Sequence, residues 1–256
     1  MPKKMRWGIL GTGSIAKSFA RGLQDTPNAY LTAVGSRTQE SADMFGELFS
    51  VPVRCPSYQD LAELTEIDAI YISTPHPFHK DNAIMCLEAG KPVLCEKPFA
   101  INSLEAEIMV RTARDNGVFL MEAMWSRYLP VMQQVRKWLD QGAIGEVRWV
   151  SADFGFRANM DPQSRLFNPE LGGGALLDVG IYVTSFASFV LGPHPDKIHA
   201  LAKLGDTGVD EQNTLLLGYD NGSMAVLTSA VRTATPQEAR IVGTEGTISI
   251  ESPFYK

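Results

Sequence analysis

The first 123 residues alternate between short apolar runs and helix-like stretches, and this cadence restricts the chain more than any other feature. The runs fall at 7–10, 31–36, 69–72, 93–95 and 118–121, and helical patterns occupy 15–23, 40–49, 82–89 and 104–116. Strand, helix, strand with short connections predicts a parallel sheet covered by helices on both faces and joined by right-handed crossovers. "EAG" before Lys91 and "DNG" before Val118 supply glycine where a left-handed helix stop needs it. After Ala123 the pattern changes. A helix is predicted over 131–140, followed by the strand-like "VRWVSADFGF", a glycine-rich loop and an apolar helix over 175–191. Strand-like runs then fill 197–204, 213–219, 224–229, 239–242 and 247–250, with "YDNGS" as a hairpin turn. The second half therefore reads as an α+β domain built on a mainly antiparallel sheet.

At 256 residues and 45% hydrophobic, the chain can bury a sizeable core. It carries 23 basic against 29 acidic side chains, and no basic block that would suit nucleic acid or a membrane surface. Cys55, Cys86 and Cys95 form neither a CxxC pair nor a metal-ligand spacing, so no metal is expected and the thiols read as reduced, in a cytoplasmic protein. Gly11 and Gly13 end the first apolar run too soon for a signal peptide. Asp178 and several hydroxyl residues make 175–191 a poor membrane span and a better buried helix. "SPFYK" straight after a strand is an abrupt end for a sheet domain and reads as C-terminal truncation.

"GILGTGSIAKSFA" gives Gly11-x-Gly13-x-x-Ala16 between a strand and a helix. Gly11 permits a tight turn, Gly13 lets backbone amides approach a pyrophosphate, and Ala16 lets the helix pack close. Ser14 and Ile15 begin that helix, where free N–H groups and the dipole favour an anion. The competing reading is a plain strand-to-helix turn. On the first strand of a βαβ series, the motif predicts an N-terminal Rossmann domain over 1–123, with the second domain over 124–256. The second strand ends in Ser36-Arg37-Thr38 with no carboxylate before Glu40. An arginine flanked by hydroxyls suits a 2′-phosphate, which points to NADP over NAD, whereas the alternative is a solvated loop arginine. No Walker lysine follows "GTGS", which argues against nucleotide-dependent group transfer.

Three further stretches fall at carboxyl ends of strands or on the apolar helix: "STPHPFH", "CEKP" and "GGGALLDVGIY". With these in order, the chain resembles the Gfo/Idh/MocA family, the glucose–fructose oxidoreductase and inositol dehydrogenase group of NAD(P)-dependent enzymes. The likeness spans essentially the whole sequence. Tyr182 at the end of "DVGIY", together with "EAMWSRYLP" at 122–130, is similar to the dimeric dihydrodiol dehydrogenase-like branch. Many relatives carry histidine where Tyr182 stands, and the family often has Asn where His76 stands. The resemblance implies a homodimer, cofactor contacts from Thr74, His79, Glu96 and Lys97, and a cis bond before Pro98. His76 is a further candidate to line the cofactor; the competing readings for His76 and His79 are that they cap the following helix or lie exposed.

For alcohol oxidation, hydride leaves to nicotinamide and the hydroxyl proton needs a base. A free tyrosine, with pKa about 10, needs roughly 4 kcal/mol to reach neutrality. One cation about 4 Å away at an effective dielectric of about 20 supplies that much. Tyr182 is thus the candidate acid/base and Lys97 its electrostatic partner, with Asp178 orienting Lys97 or a substrate hydroxyl. Asp178 and Tyr182 are four apart, on one helical face, and Gly180 between them leaves space for a ligand or another backbone. Core tyrosine, surface lysine and structural aspartate are the competing readings.

Trp125 and Arg127 after the strand-like run 118–121, Phe154 on the first strand of the second domain, and Arg165 before the glycine-rich loop are the candidate substrate contacts. Aromatic walls with a few polar anchors suit a sugar ring or a cyclic diol, although the same aromatics can simply form core. The expected function is NADP-dependent hydride transfer at a secondary alcohol or carbonyl of a sugar or trans-dihydrodiol. The alternative is a non-catalytic NAD(P)-binding sensor.

Overall fold

The computed structural model of the protein describes residues 4–256, in two compact units divided between Ala123 and Met124. The first unit holds six strands: β1 (Met5–Leu10), β2 (Ala29–Gly35), β3 (Val53–Cys55), β4 (Ala69–Ile72), β5 (Val93–Glu96) and β6 (Leu120–Ala123). They pair in the order β3-β2-β1-β4-β5-β6, with every pair parallel. The chain thus reverses its direction of growth between β1 and β4, and the crevice beyond that point is where open α/β sheets take their ligands. Alternation along the strands sorts the core. Ile9, Val34 and Tyr71 pack on α1 (Ser14–Gln24) and α2 (Gln39–Phe49), while Leu10, Ile70 and Ile72 pack with Leu61, Leu87 and Met109. Those last three belong to α3 (Tyr58–Glu63), α4 (His79–Glu88) and α5 (Ser103–Asp115). The Rossmann reading holds.

Helix α1 shows how the sequence selects its elements. Ala16, Ala20 and Leu23 recur at helical spacing and are buried, with polar residues between them. Gly90 and Gly117 stop α4 and α5 at φ +72° and +62°, the left-handed geometry expected of "EAG" and "DNG". The short elements β3 and α3 have no counterpart in the segments predicted above, because three and six residues leave too little periodicity to register.

In the second unit, α6 (Pro130–Asp140) precedes β7 (Val147–Gly155), and α7 (Ile181–Leu191) precedes β8 (Lys197–Leu204), β9 (Asp210–Gly218), β10 (Met224–Ala230), β11 (Ala239–Gly243) and β12 (Thr247–Ile250). The sheet order is β12-β11-β7-β10-β9-β8. All pairs are antiparallel except β7 with β10, so the sheet is mixed. The "YDNGS" turn joins β9 to β10, with the Tyr219 amide donating to the Ser223 carbonyl at 3.0 Å and Gly222 at φ +80°. Helix α7 packs on β7 and β10, and Met132 and Val135 of α6 join Val183, Phe186 and Ala187 of α7 and Val150, Leu227 and Ile241 of the sheet in a single core.

The apolar helix differs from its prediction in one respect. Leu176–Gly180 forms a π turn before α7 begins. Asp210, far along the chain, holds that turn by accepting from the Leu176 amide at 2.9 Å and from Asn213 Nδ2 at 2.6 Å. Gly174, at φ +116°, lies so close to the Asp210 carboxylate that a side chain there would collide with it. The three cysteines are buried and unpaired, and burial pushes the Cys86 thiol up to about 12. Among the described residues no three His, Cys, Asp or Glu side chains converge as metal ligands.

Candidate active site

In the first unit the strand ends gather the sequence-selected residues. Gly11 follows β1 at φ +103°, and a Cβ there would stand 2.9 Å from Ser73 Oγ, so only glycine fits where the loop crosses the end of β4. Gly13 caps α1 without a side-chain hydrogen bond, and α1 has no acid in its first turn. Ser14 and Ile15 stand exposed at that end. At the end of β2, Ser36 is buried and Arg37 is exposed, with no hydrogen bond or ion pair among the described residues. Burial raises the Tyr58 pKa and the charge of Arg37 draws it back, which puts the guanidinium within electrostatic reach of that phenol. The Thr38 hydroxyl accepts from the Ser41 amide at 3.2 Å and caps α2.

Beyond β4, His79 opens α4 with its ring fully buried. Its Nε2 lies 2.8 Å from the Thr74 carbonyl and its Nδ1 2.9 Å from the Pro98 carbonyl. Burial pushes its pKa below the usual histidine value, against the pull of the backbone carbonyls, and a neutral ring has only one N–H to donate. Both ring nitrogens are thus turned to backbone, so His79 aims Thr74 and Pro98 rather than reaching outward. Asn82 donates to Thr74 Oγ1 at 3.1 Å and completes this anchor. Residue spacing alone could have found Asn82, one helical turn from His79, yet the predicted helix start at 82 hid it. His76 is buried too, with its ring 5.9 Å from that of His79.

Glu96 and Lys97 close β5, and the Lys97–Pro98 bond is cis. Glu96 is only 6% exposed; its carboxylate takes a hydrogen bond from the Tyr71 hydroxyl and another from the Lys97 amide at 3.1 Å. Burial holds its pKa above the usual carboxylate value, while Tyr71 and Lys97 pull the other way. Tyr71 in turn stacks on Phe19 of α1, with centroids 3.8 Å apart. Phase on β4 fixes Tyr71's face, but nothing in the sequence pairs it with Glu96.

In the second unit Tyr182, buried at 7% exposure, receives a hydrogen bond from the Trp125 indole N–H at 3.0 Å. Trp125 opens the turn Trp125–Tyr128, whose Arg127 donates to Ser185 Oγ at 2.8 Å and to its carbonyl at 3.1 Å. Phe154 lies 5.3 Å from the Tyr182 ring and stacks on Tyr255 at 3.8 Å. Tyr255 was not among the predicted contacts, because a residue beyond the last strand has no register from which to infer a partner. Asp178 is buried and pairs with Arg165 at 2.6 Å, which ties the π turn to the loop before it. Gly180 leaves no ligand space: a Cβ would sit 3.0 Å from both Leu176 Cδ1 and Ser229 Oγ, so β10 fills the position the sequence reading left open.

Two family descriptions match in succession: an oxidoreductase family with an NAD-binding Rossmann fold over residues 5–124, and the GFO/IDH/MocA C-terminal domain over 132–249. Among curated proteins, trans-1,2-dihydrobenzene-1,2-diol dehydrogenase of Xenopus tropicalis is 40% identical over 253 residues, covering 98% of this chain and 76% of that protein. The chain belongs to the Gfo/Idh/MocA oxidoreductase family. The human protein of the same name is 37% identical over 98% of this chain and 75% of its own length. KijD10, a 3-ketoreductase from Actinomadura kijaniata solved with NADP and TDP-benzene, superposes with a TM-score of 0.87 at 31% identity, over 98% of this chain and 78% of that one. An aldose-aldose oxidoreductase from Caulobacter crescentus, solved with glycerol, gives 0.90 at 28% identity, over 97% and 77%. Membership makes the chain a dehydrogenase or reductase with a dinucleotide-binding unit, rather than a non-catalytic sensor.

The first unit fits such a dinucleotide on its own geometry. A Cβ on Gly13 would meet no atom within 4 Å, which leaves open space beside the uncapped N-terminus of α1. Gly13→Ala should therefore leave the melting temperature unchanged and weaken dinucleotide binding about tenfold, a loss of ~1.4 kcal/mol. Fluorescence titration beside thermal unfolding checks this, and equal affinity in both proteins would remove Gly13 from the site. A second expectation concerns Glu96. The folded state holds its proton more tightly than the unfolded chain, so stability falls as pH rises from the ordinary carboxylate value through the raised one, by at most about 1.4 kcal/mol per pH unit. Glu96→Gln should remove that decline in urea unfolding across mildly acidic to neutral pH; parallel curves for the two proteins would refute it.

Proposed function

We propose that the chain is an NADP-dependent oxidoreductase interconverting a secondary alcohol and its carbonyl on a sugar or a trans-dihydrodiol. Tyr182 would serve as proton acceptor and donor, and Lys97 as the cation that favours its phenolate. The observation that carries the chemistry is the buried Tyr182 phenol, whose oxygen takes an indole N–H among aromatic side chains. The preference for NADP rests on Arg37, exposed and unpaired among the described residues at the end of β2, where an NAD site favours a carboxylate. The 3-ketoreductase crystallised with NADP agrees with that preference.

The nicotinamide, when bound, supplies the hydride acceptor and donor. In the oxidative direction Tyr182 Oη takes the alcohol proton; in reduction it returns that proton to the carbonyl oxygen. Lys97 would stabilise the negative phenolic oxygen and hydrogen-bond the substrate hydroxyl. Gly11, Gly13, Ser14 and Ile15 would hold the pyrophosphate, Ser36 and Arg37 would take the 2′-phosphate, and Thr74, His76 and Glu96 would serve the nicotinamide end. Trp125, Arg127, Phe154 and Arg165 bound the substrate, and Asp178 sets the direction of Arg165. Lys97→Met and Tyr182→Phe should each lower turnover about 10²–10⁴-fold on a panel of aldoses and trans-diols while keeping NADP affinity. Arg37→Ala should weaken NADP about tenfold or more and leave NAD unaffected. Normal turnover in both chemical variants would sink the assigned roles, and an equal effect on the two dinucleotides would sink the NADP preference.

We also infer a homodimer through the open face of the second sheet. Pairing puts Leu201, Leu216 and Val226 on one face, and Leu201 is 80% and Leu216 49% exposed. A contiguous apolar patch of this kind is unusual on a monomer. Sedimentation should give the mass of two chains, and Leu201→Asp should shift it toward one; a single-chain mass for the unaltered protein at high concentration would refute the dimer.

A further inference from the structure

We propose that Trp125 is the positioning residue that sets the protonation and direction of the Tyr182 phenol, an inference resting on the reading of Tyr182 as acid/base. The indole Nε1 stands 3.0 Å from Tyr182 Oη, with the two rings edge-on at 75° and 5.9 Å between centroids. An indole N–H can only donate. The phenolic oxygen is therefore the acceptor in this contact, and its own proton points away from Trp125.

The surroundings explain why such a donor matters. Phe154 and Tyr255 stand 5.3 and 5.7 Å from the Tyr182 ring, and Tyr182 is itself buried. Apolar walls disfavour a negative oxygen, whereas a hydrogen bond donated to it favours the ionised form. A donor to an anionic oxygen is roughly twice as strong as one to a neutral oxygen, so Trp125 acts differentially on the two protonation states. A tyrosine that only filled core would gain nothing from that difference.

Trp125 is not left to find this position by chance. Arg127, two residues on, grips Ser185 by both its hydroxyl and its carbonyl, one helical turn past Tyr182 on α7. The same turn packs Ser126 and Arg127 beside Tyr182, Phe186 and Phe254. The guanidinium thus fixes the turn that carries the indole to the helix face that carries the phenol. The ionisable groups on the packed elements include Arg127 and Tyr128 on this turn, Asp178 on the π turn with Arg165 bound to it, Asp153 beside Phe154 on β7, and Tyr255 and Lys256 on the terminal segment. Trp125→Phe keeps an aromatic ring and alters none of these charges, so a change in Tyr182 titration is attributable to the lost N–H.

The test is an ultraviolet difference titration on the full chain, without substrate. Subtracting Tyr182→Phe from the unaltered protein isolates the Tyr182 midpoint, and the same subtraction in a Trp125→Phe background isolates it without the donor. The midpoint should rise by about one pH unit, and the alkaline-side dependence of alcohol oxidation should rise with it. An unchanged midpoint overturns the inference and leaves the acid/base role of Tyr182 standing. Full turnover by Tyr182→Phe would instead remove that role without touching the titration result. Should Trp125→Phe fail to fold, isotope-labelled tryptophan in the unaltered protein still decides. The Trp125 indole N–H resonance should move with the Tyr182 midpoint, and a resonance indifferent to that ionisation overturns the proposal.

Discussion

The first unit depends on one close crossing, where the backbone leaving β1 passes over the end of β4. The Ser73 amide and hydroxyl both donate to the Leu10 carbonyl at 2.9 Å, and Gly11 sits so near Ser73 Oγ that no side chain fits. This contact holds the glycine loop against the strand that lies at the reversal of sheet order. Everything placed next along β4, including Thr74 and its partners His79 and Asn82, takes its position from that edge. A looser crossing would leave the α1 terminus and the β4 loop to settle independently, and a charged ligand spanning both would have to order them on binding.

The second unit solves a different problem, that of setting the rotation of one apolar helix. A continuous α-helix through 175–191 would fix Asp178 and Tyr182 by periodicity alone. The π turn breaks that periodicity and lets Asp178 meet Arg165 while Tyr182 meets Trp125. Asp210 pays the backbone debt of the irregular start by accepting the Leu176 amide. Gly180 fits because β10 approaches there, with Ser229 Oγ where a side chain would stand. The glycines of this segment thus serve packing.

Local signals were legible and long-range pairings were not. The glycine loop, the two glycine helix stops and the Asn-Gly hairpin could each be read from a few adjacent residues, because each is a backbone requirement met by one residue type. The parallel first sheet followed from the cadence of strands and helices. The parallel pairing of β7 with β10 did not, since the paired residues lie 75 positions apart in the chain, from Trp149 beside Met224 to Gly155 beside Ala230. The site divides in the same way. Lys97 and Tyr182 stood out by motif, but the contacts of Glu96 with Tyr71, Trp125 with Tyr182 and Arg165 with Asp178 join segments whose meeting depends on the tertiary fold. His79 was legible as a special residue, but its backbone partners were not, because sequence gives a residue's type and not the direction of its ring.

Burial separates two tasks among the polar residues of the first unit. His79, Asn82 and Glu96 are buried, and their hydrogen bonds run to the backbone or side chains of neighbouring segments. Each loses water for that position, a cost that only well-made internal hydrogen bonds offset. Arg37, Ser14 and Ile15 are exposed and bear little of the fold's internal bonding. On the proposed dinucleotide reading, an anion arriving at these exposed groups would meet a rim whose direction is already set from beneath. On that reading, substitution on the rim should change affinity with little effect on stability, whereas substitution among the buried aiming groups should change both, because the same hydrogen bonds would serve the fold and the site.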